Sequence, residues 1–394
     1  MRFVNHRKVL NRAGVPGWRS TRVAIGRTIL FVLAVLWCAD ARAAVDPAVF
    51  TGSVGRAQIV LQLYVDADRV SGRYFYRRTR QDIPLDGAQA DGTLQLTAQV
   101  TGDSLTLARA GHRLVGRLVT KAGVSFPVAL DPAEPTPASP SARPGTDTPP
   151  DGPDELYERF RMQDLRLAVR SRQVISGRTI AWYREDLSQR EMFRLEAGYP
   201  APVMDAINPQ LEAFHLERVQ QTLSCTGIDG RTGVEDSHAE APFLSADYVS
   251  FTWVASWSCE GAAHPDFETS ARTFDARTGR RLQLEDILWF GRGAPPREET
   301  PEWLDYRANV FAPRIVALMT RLHPADMAKP ATPDDTCDYS QPDMWTNAGW
   351  SIGPGGLVLH VYTYRAQRQC DDPAFAVIPM AVVDALRRSR SRDR

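Results

Sequence analysis

Apolar and polar positions alternate with a period of two through AQIVLQLYV (57–65) and RVSGRYFYR (69–77), which puts Tyr74 and Tyr76 on one side of a strand and Phe75 on the other. TLQLTAQV, SLTLAR and HRLVGRLV follow at short intervals, separated by Asp-Gly, Gly-Asp and Gly-His turns, and no helix-period segment interrupts them. Residues 44–130 therefore predict a small all-β sandwich or barrel. Phe50-x-Gly52-x-x-Gly55 has the look of a phosphate loop, but nothing helical follows it, so it reads as a strand-end turn.

The pattern stops at DPAEPTPASPSARPGTDTPPDGP (131–153), which holds eight prolines and no large apolar residue. Such a stretch cannot bury a core and predicts an extended linker. Beyond it, residues 154–394 mix two periods. Asn208-Pro209 predicts a helix start, with Asn as N-cap and Pro in the first turn. Thr300-Pro301 predicts a second helix, kinked at Pro313, and a short third one follows Pro379. Strands are predicted at 248–259, 269–275, 281–285, 357–364 and 374–378. In YVSFTWVASWSC, Val249, Phe251, Trp253, Ala255, Trp257 and Cys259 share the packed face. Strands broken by separated helices predict an α+β fold with an antiparallel sheet.

Composition adds an address. Seven basic residues precede the apolar run Ile29–Cys38, and Ala41-Arg42-Ala43 then gives a small-x-small pattern, so residues 1–43 read as an export signal cleaved near residue 43. The run is about half the length of a membrane span. The expected location is the periplasm or the exterior. Residues 1–43 carry eight basic side chains and one acidic, so their removal leaves 39 basic against 46 acidic, about −7. That balance argues against nucleic acid and favours cationic partners. Four cysteines then remain, Cys225, Cys259, Cys337 and Cys370, an even number that predicts two disulfides in an oxidising compartment. Three pairings are open; Cys225–Cys259 with Cys337–Cys370 is favoured because each closes a local loop.

Candidate chemistry gathers at three places. His264 and Asp266 lie where two strands connect, and could form an acid–base pair. No zinc-protease or serine-nucleophile motif is read in the chain, so His264 is taken as a turn residue and no catalytic group is assigned. Glu235, Asp236, His238 and Glu240 fit no defined metal spacing and read as a polar hairpin loop, so no metal or other cofactor is assigned. A Cys337–Cys370 bridge would bring Asp334, Asp335 and Asp338 to Asp371 and Asp372, a surface patch of five carboxylates that a cation or a basic partner would offset. Trp345 and Trp350 flank a Gly/Pro-rich turn where sugar rings could stack, but no carbohydrate site is assigned.

Several of these motifs carry a resemblance. Gly261-Ala262-Ala263-His264-Pro265-Asp266, TFDARTGRRLQLEDIL, GPGGLVLHVYTY and FAVIPMAVVDALR together resemble the DUF3298 family, with Ala262 where the pattern usually has Gly. FRLEAGYP with PVMDAIN is similar to the DUF4163 region that precedes it, and the two cover most of 154–394. The Phe50–Gly55 start, SGRYFYRR and IPLDG resemble an N-terminal β-domain of bacterial envelope proteins. In the DUF3298 family an anti-sigma-factor ectodomain binds lysozyme. The resemblance therefore implies a non-catalytic envelope module that binds lysozyme, another cationic protein or peptidoglycan. A cell-wall hydrolase using His264 and nearby carboxylates, and a structural envelope protein, stand as alternatives.

Overall fold

Eight antiparallel strands close on themselves at the start of the chain. In the computed structural model, which describes residues 48–134, 153–330 and 337–392, they are β1 (Ala48–Val54), β2 (Ala57–Asp66), β3 (Arg69–Tyr76), β4 (Ile83–Ala90), β5 (Thr93–Ala98), β6 (Ser104–Ala110), β7 (Arg113–Val119) and β8 (Ser125–Pro132). Each pairs with the next, and β1 pairs with β8, so the sheet is a closed barrel with no free edge. The period-two alternation fills the interior with Ile59, Leu61, Leu85, Leu96, Leu107 and Leu130, among others, and Tyr74 turns inward beside Tyr76. Phe75 turns outward, as its alternate position requires.

Phe75 is nevertheless buried, because helix α1 (Pro153–Met162) covers it. Tyr157 and Phe160 of α1 pack on Val49, Val60 and Phe75 of the barrel's outer face. Burial of a side chain such as Phe160 stabilises by roughly 2 kcal/mol. The segment after the predicted linker thus begins with a helix seated on the barrel. Of that linker, residues 135–152 lie outside the described residues.

A three-stranded sheet comes next, β9 (Leu167–Ile175), β10 (Arg178–Glu185) and β11 (Glu191–Ala197), in the order β11-β10-β9. Helix α2 (Ala201–Ser224) packs on it through Ile207, Leu211 and Phe214. The predicted start at Asn208 is corrected here. The helix begins seven residues earlier, with Pro200 as N-cap and a proline in the first turn, and runs through Pro209. Asn208 does not cap. Its carboxamide accepts from the Leu195 N–H at 2.8 Å and donates to the Leu195 carbonyl at 2.9 Å, acting as a partner for the backbone of β11.

The next sheet centres on β14 (Tyr248–Trp257), flanked by β12 (Val234–Ala239) and β13 (Phe243–Leu244) on one side and by β15 (Asp266–Asp275) on the other. Val249, Phe251 and Trp253 bury against α2, while Trp257 and Cys259 are half-buried. The strand predicted at 281–285 does not form. Arg281 makes a single bridge to Phe274, and helix α3 (Leu284–Ile287) begins under a capping box in which Asp286 accepts from the Gln283 N–H at 2.9 Å.

Helix α4 (Pro301–Tyr306) starts where predicted, with the Thr300 hydroxyl accepting from the Trp303 N–H at 3.3 Å. A π-helical turn, Arg307–Phe311, leads into α5 (Ala312–Leu322). Pro313 lacks an N–H, and the widened turn just before it is the form its predicted kink takes. Helix α6 (Asp343–Thr346) precedes a third sheet of β16 (Gly349–Gly353), β17 (Gly356–His360) and β18 (Val377–Ile378), and α7 (Met380–Arg392) closes the chain. Strands β17 and β18 are shorter than predicted. Past His360 the chain leaves the sheet, because the Asp371 carboxylate takes the N–H and hydroxyl of Thr363, both at 2.7 Å.

The architecture is α+β, with a β-rich first part. Both favoured disulfides are present, Cys225–Cys259 with Cα atoms 5.0 Å apart and Cys337–Cys370 at 5.4 Å. Among the described residues no helix is long and apolar enough to cross a membrane. Residues 1–43, read as a signal, lie outside the described residues, and the described residues belong to one compact unit.

The barrel is tied to the rest where α2 ends. A helix leaves its last carbonyls without intrahelical partners. Here the barrel's β3–β4 connection supplies them: the Asp82 N–H donates to Leu223 O at 3.1 Å, and Gln81 Nε2 to Cys225 O at 2.9 Å. Arg161 of α1 adds a bond to Leu223 O at 3.1 Å.

Candidate functional site

The connection between β14 and β15 meets the Cys337–Cys370 loop, and the meeting point is Arg368. Its segment, the 3-10 turn Arg365–Cys370, ends on a buried cysteine cross-linked to Cys337. Arg368 Nη2 donates to Asp266 Oδ1 at 2.8 Å, and Nη1 donates to Asp371 Oδ2 at 3.0 Å and to Phe267 O at 3.1 Å. The guanidinium lies 4.1 Å from the Tyr362 ring centroid and 4.9 Å from that of Phe267. Arg365 donates to Pro265 O at 3.0 Å. Asp266, placed by sequence reasoning beside His264, is thus joined to Asp371, which that reasoning placed in another cluster.

His264 itself is exposed in the loop and hydrogen-bonds to none of the described residues. It has no acid–base partner among them, and Asp266 is engaged by Arg368 instead. The five-carboxylate patch is also redrawn. Asp334 and Asp335 lie outside the described residues. Asp338 turns into its own loop, accepting from the Ser340 hydroxyl at 2.5 Å, the Ser340 N–H at 3.1 Å and Gln341 Nε2 at 2.9 Å. The Ser340 hydroxyl bond leads in holding its carboxyl below the usual carboxylate range. Asp371 is consumed by Arg368 and Thr363, and its side chain is only 6% exposed.

A different set of carboxylates converges. A groove of about 290 Å³ lies across β12, β14 and β15, and its lining includes Asp236, Phe267, Glu268, Arg368, Asp371 and Asp372. Asp236 stands on β12, which is a paired strand where a hairpin loop was predicted, because Val234 to Ala239 take up the second half of β14. On that strand His238 Nδ1 lies 2.8 Å from Asp236 Oδ1. Ser237 points the other way and accepts from Trp253 Nε1 at 3.0 Å. Glu268 is paired with Arg218 of α2, a side chain 5% exposed. Among the described residues no three His, Cys, Asp or Glu side chains are grouped to hold a metal ion.

Trp345 and Trp350, considered as sugar platforms, are core residues at 0% and 8% exposure. Trp345 Nε1 donates to Tyr339 O at 2.8 Å. Their spacing around a turn did not separate a stacking platform from a strand that buries every second residue.

Comparison with protein-family models finds no match, and no curated protein matches the chain. The geometry therefore stands on its own residues.

Sequence reasoning also missed a motif. Gly349-Trp350-Ser351-Ile352-Gly353 is a G-x-S-x-G string. It lies along a strand, β16, and not at the strand-to-helix elbow where such a string usually presents its serine. Ser351 Oγ is 2.9 Å from His360 Nε2, and His360 Nδ1 is 3.1 Å from Asp372 Oδ1. The string was readable in the sequence. The two partners, nine and 21 positions downstream of Ser351, were not.

Proposed function

We propose that the chain is an exported cell-envelope binding module whose groove takes a cationic protein surface, of which a basic lysozyme is the leading example. One observation carries this: of the carboxylates lining the groove, Asp371 is offset by Arg368 and Glu268 by Arg218, which leaves Asp236 and Asp372, each beside a histidine, as carboxylates without an arginine partner among the described residues. Uncompensated carboxylates make the local potential negative and favour a basic partner. The motif resemblance to the DUF3298 family and the acidic balance of residues 44–394 point the same way. The two disulfides suit an oxidising compartment outside the cytoplasm. His264 has no part in this reading beyond its exposed turn, and catalysis through it lacks a partner group among the described residues.

The test is a titration of the oxidised chain against a basic lysozyme at low and at moderate salt. Saturable binding that weakens with salt is expected, because rim charges act mainly through long-range attraction. Asp236→Asn should lower the affinity several-fold and flatten the salt dependence; its side chain is 60% exposed, so folding is spared. Absence of binding at high micromolar protein, or binding indifferent to salt and to Asp236→Asn, removes the reading. Peptidoglycan fragments are then the next ligands to titrate.

A further inference from the structure

One hydrogen-bonded chain of side chains touches the groove only at Asp372. Ser351 and His360 stand on neighbouring strands, since Gly349 pairs with His360 and Ser351 with Val358. In β16 and β17 the core-facing residues are Trp350, Ile352, Leu357 and Leu359. By the period of two, Ser351, Val358 and His360 share the opposite face. On that face Gly349 and Gly353 flank Ser351 with no side chain on either side. A Cβ at Gly349 would find nothing nearer than 3.6 Å, and one at Gly353 nothing nearer than 3.7 Å. Packing therefore does not require glycine at either position.

The third group is held firmly. Asp372 adopts φ +50°, a left-handed conformation that costs a non-glycine residue about 1 kcal/mol. Its N–H donates to Val361 O at 3.2 Å, and it follows Asp371 and the cross-linked Cys370. Its carboxylate side chain is 33% exposed, and Asp372 also lines the groove. A carboxylate on Nδ1 places the ring proton there and leaves Nε2 free to accept from the serine hydroxyl, the order that activates a serine.

We infer that Ser351 is a nucleophile, with His360 as its base and Asp372 as the positioning residue, in a site for small acyl esters. Ser351 is 5% exposed, which keeps a folded chain from its hydroxyl, so the site is assigned to the smallest acyl groups, such as acetyl. Ser351 Oγ adds to the ester carbonyl carbon as its proton passes to His360 Nε2. The bond to the leaving alcohol breaks, and the alcohol departs with that proton. Water then attacks the serine ester through the same imidazole, and releases the carboxylic acid and free serine. This inference does not depend on what the groove binds.

The full oxidised chain is incubated with a small fluorophosphonate, and separately with p-nitrophenyl acetate, and the adduct is located by peptide mass spectrometry. Bonding of Ser351 Oγ to phosphorus expels fluoride, so one adduct at Ser351 is expected, absent in Ser351→Ala. His360→Gln should slow labelling about 100-fold or more, the usual range for loss of a general base. Asp372→Asn should slow it as well, and Asp372→Glu should recover part of the rate, which a residue that only supports the loop would not do. Near-UV circular dichroism identifies any variant that fails to fold; in that case the wild-type adduct and the Asp372 pair decide. No adduct on the folded wild type, an adduct on another residue, or equal rates in folded His360→Gln overturns the inference.

Discussion

Arg161 ties the barrel to the helices at their junction. It is fully buried, donates to Asp82 Oδ1 at 2.5 Å and to Glu158 Oε2 at 2.8 Å, and lies 4.8 Å from the Phe75 ring centroid. Burial works against its charge, but Asp82 and Glu158 outweigh that and hold it protonated. Arg161→Met keeps most of the apolar stem and removes the charge. Asp82 is then left buried with Arg73 at 3.3 Å and the Tyr157 hydroxyl at 2.7 Å. Breaking a buried pair costs about 3–5 kcal/mol. Because two partners remain, the low end, about 3 kcal/mol, is expected, with roughly 1 kcal/mol more for the bond lost at Leu223 O. The described tryptophans all lie beyond the barrel, so indole fluorescence follows the helical part while far-UV dichroism follows both. Urea unfolding of the wild type should give coincident curves from the two probes. In Arg161→Met the midpoint should fall and the curves should separate. The double variant with Asp82→Asn should lose less than the sum of the singles, by about 1–2 kcal/mol, as for residues in one network. A loss under about 1 kcal/mol with coincident probes and additive singles would refute this account of the junction.

Other residues give shorter tests. Gly279 has φ +74°, and a Cβ there would lie 2.5 Å from the Ala206 side chain, so Gly279→Ala should destabilise by at least about 1–2 kcal/mol in urea unfolding. Asp338 has a depressed folded-state pKa, so its contribution is present above the unfolded carboxylate pKa and fades as pH falls through the folded one. Asp338→Ala should accordingly lower Tm near neutral pH, and the gap to wild type should close in strong acid. The double variant Cys337→Ser, Cys370→Ser opens a closure between residues 33 apart and should lose about 2–4 kcal/mol, together with salt-sensitive binding in the groove.

How much of the fold could be read in the chain depends on how local the physics is. Tyr74 inward and Phe75 outward is a one-strand fact, and alternation alone carries it. Closure of the barrel is a fact about all eight strands, which is why sandwich and barrel stayed open. Asn208-Pro209 misled because both residues have a second use: proline is tolerated inside α2 when tertiary packing holds the helix, and the Asn208 carboxamide had a strand to bond. LQLED misled in the opposite direction. Its alternating apolar positions match a strand, but the capping box of Gln283 and Asp286 is a contact three residues apart that favours one helical turn. The sheet β9–β11 went unpredicted because β9 is almost wholly exposed and offers no alternation to read.

The groove was less legible than the fold, and Arg368 shows why. Sequence reasoning treated carboxylates as the informative groups and grouped them by proximity along the chain, so Asp266 and Asp371 fell into separate clusters. The cation that joins them lies 102 positions from one and three from the other. It was unremarkable among 47 basic residues, nearly all arginine. Once Arg368 is placed, the patch near the second disulfide loses Asp338 to a turn and Asp371 to an internal pair. It gains Glu268 and Asp236 from strands that pairing with β14 brings in. Asp372 survives both groupings. It faces the groove and holds His360 toward Ser351, so a carboxylate first read as one of five like charges is the position where binding and acyl chemistry would meet. Asp372→Asn tests both: lost lysozyme affinity with labelling unchanged assigns it to the groove, and slowed labelling with affinity unchanged assigns it to the serine.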